Sequence, residues 1–233
     1  MRHNYTVDAM TPHILYEDNH LLVAIKPQNM PSQADSSRDI DFLNLLKQYI
    51  KEKYQKPGEV YLGLVHRLDR PAGGVMVFAR TSKAAARLSA QLKDGSFQKK
   101  YYAVVSDTLP LSGTLEDHLL KDGDTNTTSV VLPDTPGAKR ALLDYDTAAQ
   151  KDNLTLLSIT LRTGRSHQIR VQLAHAGAPL LGDVKYGGKN AKNLCLWSYS
   201  LSILHPTKKE RLTFTCPPPS AYPWDMWDIT APS

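Results

Sequence analysis

Val60-Tyr61-Leu62-Gly63-Leu64-Val65 runs directly into His66-Arg67-Leu68-Asp69-Arg70. An apolar run of strand length empties into a charged loop, with one carboxylate beside a cation and two residues from another. A carboxylate held among cations at the mouth of a strand stays ionised, available as an ion-pair partner or as a nucleophile. Gly73-Gly74 then breaks the chain, and Val75-Met76-Val77-Phe78-Ala79 reads as a second strand. Thr81 or Ser82 can cap a helix whose apolar stripe is Ala84, Ala85, Leu88 and Leu92 and whose end is Asp94-Gly95.

Working toward the N-terminus, His13 to Pro27 reads as two short strands around an Asp18-Asn19 turn, followed by an extended loop at Pro27 and Pro31. Phe42, Leu45, Leu46 and Tyr49 recur at helical spacing, and Pro57-Gly58 marks the exit from that helix. Toward the C-terminus, Lys99 to Val105 is a strand, and residues 112–152 hold hairpin-like pieces separated by Gly123, Pro133 and Pro136-Gly137. Leu154 to Leu161 is a β-rich run that feeds Arg162-Thr163-Gly164-Arg165-Ser166-His167-Gln168-Ile169-Arg170. Gln168 to Ala176 reads as a helix with Ile169, Leu173 and Ala176 inward, and further strands lie at 197–204 and 212–215. This order predicts an α+β chain dominated by sheet. With neither repeat nor low-complexity linker in view, 1–233 is expected to form a single domain.

The 233 residues are long enough to bury a substantial core, and 41% hydrophobic with 22% charged residues is a globular composition. Met1 to Asp18 contains no signal-peptide-like run and no segment has membrane-spanning length, so a cytoplasmic protein without membrane contact is expected. Cys195 and Cys216 are too far apart for a metal knuckle or redox pair and read as free thiols. The net charge of +5 is unevenly spread. From His66 to Val105 eight Lys or Arg face only Asp69 and Asp94, and from Arg162 to Lys192 six face only Asp183. Between Asp107 and Asp152 nine acids outnumber four bases. Two basic stretches around an acidic one suit a surface that meets a polyanion.

Several chemistries compete for these residues. Asp69 can bridge Arg67 or Arg70, or act in a pocket with Arg165 or Arg170 holding its oxygens. His66 and His167 with Asp69 or Asp183 would be a metal shell, but the spacing forms no compact ligand set and the arginines oppose a cation, so no metal is expected. His167 and Gln168 read best as hydrogen-bonding groups that fix their loop. Tyr101 and Tyr102 point to opposite faces of one strand, so one enters the core and the other can face a site. Gly182-Asp183 and Tyr186-Gly187-Gly188 lack the arrangement of a phosphate-binding loop, so no nucleotide cofactor is expected.

His66-Arg67-Leu68-Asp69-Arg70 with Gly73-Gly74 and Phe78-Ala79-Arg80 resembles the signature of the RluA-type family of RNA pseudouridine synthases. Lys99-x-Tyr101-x-Ala103 resembles that family's second motif, and Arg162 to Val171 with Gly182-Asp183 and Tyr186-Gly187 its third. Leu15-Tyr16-Glu17-Asp18 leading to Lys26-Pro27 is similar to its opening, so the likeness covers roughly residues 12–215. Pro71-Ala72-Gly73 departs from the Thr-Ser pair many members carry, which bears on fine positioning and substrate preference.

The resemblance implies the pseudouridine synthase fold, a mixed, largely antiparallel sheet with flanking helices and a catalytic cleft. It implies Asp69 as catalytic aspartate, Tyr101 as the tyrosine against the target base, and Arg170 as the arginine paired with the aspartate. His66, Arg67, Arg70, Arg165, His167 and Gln168 would be substrate-binding. The reaction would isomerise uridine to pseudouridine in structured RNA, ribosomal or transfer, after flipping the nucleotide, with no cofactor. Arg80, Lys83, Arg87, Lys99, Lys100, Lys185 and Lys189 are candidates for the RNA track. The N-terminal S4 domain of several relatives is not expected here, and a monomer is the simplest expectation.

Overall fold

The computed structural model describes residues 11–107 and 109–229. Residues 1–10, part of the stretch read as lacking a signal-peptide run, and 230–233, the end of the expected domain, lie outside the described residues. In chain order the elements begin with β1 (His13–Glu17), β2 (Leu21–Lys26), α1 (Phe42–Lys53), β3 (Gly63–Leu64), β4 (Gly73–Ala79) and α2 (Ser82–Asp94). Next come β5 (Gln98–Val105), β6 (Ser112–Asp122), β7 (Thr127–Val131), β8 (Lys139–Lys151) and β9 (Leu154–Leu161). The last are α3 (Gln168–His175), β10 (Leu196–Leu204) and β11 (Arg211–Thr215). Contacts divide the chain into two compact units, Met1–Phe97 with Leu201–Cys216 and Gln98–Ser200 with Pro217–Ser233.

In the first unit β2 pairs antiparallel with β1 on one side and with β4 on the other, Leu21 opposite Ala79 through Lys26 opposite Gly74. Every residue of β4 is buried, as expected of a strand covered on both faces. Leu21, Val23, Val75, Val77, Ala84, Leu88, Leu201 and Ile203 share one apolar cluster that seats α2 on the strands. Thr81 caps α2 by accepting the Ala84 N–H at 3.1 Å, and Gly95 ends it in the left-handed conformation. Asp41 likewise caps α1, accepting the Asn44 N–H at 3.0 Å.

The apolar run 60–65 departs from the strand its composition predicts. Only Gly63 and Leu64 pair, because only Phe78 and Ala79 of β4 stand opposite them. A Cβ on Gly63 would come within 3.2 Å of Ala85 Cβ, so the glycine lets α2 approach.

In the second unit the strands pair antiparallel, with β9 between β5 and β8, and β6 between β8 and β7. Tyr101 pairs with Ile159 and faces inward, while Tyr102 stacks on Tyr199 at 3.9 Å. The tyrosines therefore split between faces as strand alternation requires. Helix α3 buries Ile169, Val171 and Leu173. Ala176, expected inside, is instead the exposed C-cap, because the helix ends one residue earlier. No helix of the described residues is long and apolar enough to cross a membrane.

Candidate active site

In the first unit Asp69 is half-buried in the loop between β3 and β4. Two side chains from the segment beginning at the end of β2 hold that loop. Ser32 Oγ donates to the Leu68 carbonyl at 2.7 Å and accepts the Leu68 N–H at 3.2 Å. Lys26, fully buried, donates to the carbonyls of Pro27 at 2.8 Å, Met30 at 2.7 Å and Arg70 at 3.2 Å. Three acceptors match the three hydrogens of an ammonium, whereas a neutral amine would leave one carbonyl unmatched. Burial pulls Lys26 down to about 7, and the negative charge of Asp69 pushes back. Gln28 adds a bond to the Pro71 carbonyl at 3.2 Å, and the Ala72 N–H closes a turn onto the Asp69 carbonyl at 3.0 Å.

The cations adjoining Asp69 in sequence are placed otherwise than the residue types alone suggest. Arg70 reaches Ser37 at 3.0 Å and forms ion pairs with Asp39 and, at 3.8 Å, Asp35. Its charge is balanced by that acidic loop. His66 Nε2 accepts the Val77 N–H at 3.1 Å, and its ring meets Phe97 edge-on at 5.2 Å. Arg67 is exposed. Arg80, a candidate for the RNA track, is instead spent on Glu17 at 3.0 Å and the Asp18 carbonyl at 2.7 Å, over the Tyr54 ring.

In the second unit Tyr101 is 5% exposed on β5, and Arg170 is 6% exposed on α3. Arg170 forms a two-pronged pair with Asp183, Nε to Oδ2 and Nη2 to Oδ1, each at 2.7 Å. Its guanidinium lies 4.9 Å from the Tyr186 ring centre. The Tyr186 hydroxyl accepts the Thr128 N–H at 3.0 Å and sits 2.6 Å from His167 Nδ1. His167 enters α3 in the left-handed conformation, φ 52°.

Gln168 ties its loop to the sheet and to α3 through both ends of its carboxamide. Its carboxamide oxygen accepts from Thr163 at 2.7 Å and the Arg165 N–H at 3.0 Å, and its nitrogen donates to the Leu142 carbonyl at 3.1 Å and Gln172 at 2.9 Å. All four bonds go to protein, and the side chain is buried. Arg165 is exposed, with its Nε fixed to the Arg140 carbonyl at 2.9 Å.

Sequence reasoning passed over Ser32 and Gln172 as positioning groups, and placed Asp183 and Tyr186 in the third motif without giving either a partner. The signal for Asp183 lay in its glycines. A Cβ on Gly182 would come within 2.1 Å of the Asn193 carbonyl oxygen, and one on Gly188 within 2.0 Å of the Leu180 carbonyl oxygen. A loop so tightly drawn fixes its carboxylate.

Residues 20–175 match the family model described as RNA pseudouridylate synthase. The chain is 34% identical over 218 residues to a ribosomal large subunit pseudouridine synthase C of Buchnera aphidicola, covering 88% of this chain and 66% of the relative. It is 33% identical over 214 residues to a ribosomal large subunit pseudouridine synthase D of Zymomonas mobilis, covering 86% and 67%. To the uncharacterized RNA pseudouridine synthase YhcT of Bacillus subtilis it is 33% identical over 222 residues, covering 93% and 70%. The chain thus spans about two thirds of the length of these relatives. Among solved structures, human RNA pseudouridylate synthase domain containing 4 aligns with a TM-score of 0.74 at 24% identity, over 89% of this chain and 88% of that one. Human RNA pseudouridylate synthase domain containing 1 gives 0.73 at 21%, over 97% and 90%. These two share the fold.

Proposed function

The chain belongs to the RluA-type family of RNA pseudouridine synthases, and from that we propose that it isomerises uridine to pseudouridine in structured ribosomal or transfer RNA. The observation that carries the reading is the family match over residues 20–175, a span that includes Asp69, Tyr101 and Arg170. The names of the relatives favour ribosomal RNA as the target.

In this proposal Asp69 is the nucleophile. Its carboxylate attacks C1′ of the flipped nucleotide as the N1–C1′ bond breaks, leaving a uracil anion, and then departs with the C2′ proton to give a glycal. The freed uracil rotates, C5 bonds to C1′ as C2′ regains its proton from Asp69, and loss of the C5 proton restores the ring while N1 gains a proton. Atoms and electrons balance with no cofactor. Tyr101 packs against the base and helps remove the C5 proton, and Arg170 supplies the guanidinium that steadies the reacting carboxylate. Flipping costs a few kcal/mol of lost stacking, offset by aromatic and phosphate contacts. The proposed working form is a cytoplasmic monomer.

The loop geometry supports the aspartate's role. Ser32 and Lys26 fix the backbone on either side of Asp69, which a nucleophile needs and a casual surface acid does not. Pseudouridine mapping of cellular RNA with and without the protein should reveal a missing site, and purified protein should restore it. If no uridine changes, the proposed activity is refuted.

A further inference from the structure

Lys99 stands on β5 two residues before Tyr101, and the burial pattern of Gln98 to Tyr101 runs exposed, buried, exposed, buried. Both side chains therefore lie on the same face of the strand, about 7 Å apart along it. Lys99 is 8% exposed. A lysine so deeply placed ordinarily has a carboxylate or a set of carbonyls to offset its lost hydration, as Lys26 has. Among the described residues Lys99 has neither a hydrogen-bond acceptor nor an acid partner. Its Nζ is not among the enclosed polar atoms that lack a partner, so it keeps an opening to solvent.

What lies beside Nζ is a glycine and a second cation. A Cβ on Gly164 would come within 2.9 Å of the nitrogen. Gly164 has no left-handed φ to explain it, so its missing side chain leaves room for the ammonium. Arg165 follows, and burial first and this like charge second bring Lys99 down to about 8. The neighbouring cations have found acids: Arg162 pairs with Asp144 at 2.7 Å and Arg140 with Glu116 at 2.6 Å. Arg165 uses its Nε on a carbonyl and meets no acid among the described residues. Two adjacent cations without an anion disfavour the bare fold, and an incoming anion would relieve them.

We propose that Lys99, floored by Gly164 and flanked by Arg165, seats one phosphodiester of the RNA strand next to the nucleotide that packs on Tyr101. This deepens the pseudouridine synthase reading and rests on it for the identity of the strand. The seat fixes the backbone within one nucleotide of the reacting base, where a phosphate contact sets register and carries no base preference.

The test uses the full chain in the Asp69→Ala background, titrated with a short oligouridylate over a range of salt concentrations. Lys99→Met should weaken binding about tenfold and flatten the dependence of log K on log salt by about 0.7, the share of one single-stranded phosphate. Because Met removes a buried, uncompensated charge, its Tm should hold or rise. Gly164→Ala, which keeps the charge but crowds the nitrogen, should weaken binding in the same direction. Lys99→Arg should restore part of the slope. An unchanged slope in Lys99→Met, or a fall in its Tm with unaltered affinity, would overturn the seat and mark Lys99 as structural. If Lys99→Met fails to fold, that too marks it as structural. Assays of the Asp69 enzyme on cellular RNA separate the two claims: activity with an unchanged slope removes only the seat, whereas a lost slope without any pseudouridine removes only the family reaction.

Discussion

Arg170 gives its Nε and Nη2 hydrogens to the two oxygens of Asp183, and both side chains are almost fully enclosed. Removing one charge from such a pair strands the other, so Asp183→Asn should cost about 3 kcal/mol in urea unfolding and depress activity with it. Arg170→Lys keeps the charge but cannot span both oxygens, and should fall between wild type and Asp183→Asn in the same measurement. Tyr101 offers a cleaner separation of chemistry from stability. Tyr101→Phe keeps the ring and loses the hydroxyl, so single-turnover pseudouridine formation should slow by about 10²-fold while RNA affinity stays near wild type. Full activity would remove the phenol from the mechanism. Three spaced motifs point to Asp69, Tyr101 and Arg170 as the candidates for chemistry. The third also contains Asp183, but an acid in a glycine-rich loop gives no sign of which cation it will meet. Arg70 misleads for the converse reason: adjacency to Asp69 suggests a partner, yet its side chain is long enough to pair with Asp35 and Asp39.

Elements differ in what their small polar groups accomplish, and two hydroxyls show it. Thr81 caps α2, and Thr81→Ala should cost about 1 kcal/mol of stability while leaving kcat unchanged. Ser32 holds both backbone groups of Leu68 in the loop that carries Asp69. Ser32→Ala leaves a buried N–H and carbonyl unmatched, a cost of roughly 2 kcal/mol. Here kcat should fall more than KM changes, with faster amide exchange at Leu68. If both variants behave alike, the loop's precision has no part in the reaction. The helices and most strands were legible because caps, glycines and periodicity agree over many residues. The run 60–65 was not: Val60 and Leu62 are buried by packing while Tyr61 stays exposed, and strand pairing there is limited to Gly63 and Leu64 against two residues of β4. Ala176 fits the helical spacing but stands where the chain leaves the helix.

For the molecule as a whole, acid stability is tied to the closure of its first unit. His205 is buried and donates from Nε2 to Asp18 at 2.7 Å, since its Nδ1 accepts the N–H groups of Thr207 at 3.2 Å and Lys208 at 3.0 Å. Burial alone would raise Asp18, but bonds from the His20 N–H, His205, the Leu21 N–H and Tyr16 hold it near 2, below its ordinary 3.8. A depressed carboxylate stabilises the fold above its unfolded pKa, and that contribution of about 2 kcal/mol is lost as pH falls from about 4 to 2. Asp18→Asn should therefore be less stable at neutral pH and show a shallower fall in stability over that window in pH-dependent denaturation. The charge asymmetry of the sequence pointed correctly to the class of partner its family handles, but not to which cations are free. Arg80, Arg162 and Arg140 are neutralised by acids, whereas Lys99 is not, and only folding decides that. The most direct measurement compares wild type and Asp69→Ala on RNA from cells lacking the protein, with circular dichroism showing both folded. The account predicts pseudouridine at a defined uridine with wild type and none above background with the variant; pseudouridine formed by folded Asp69→Ala would contradict it.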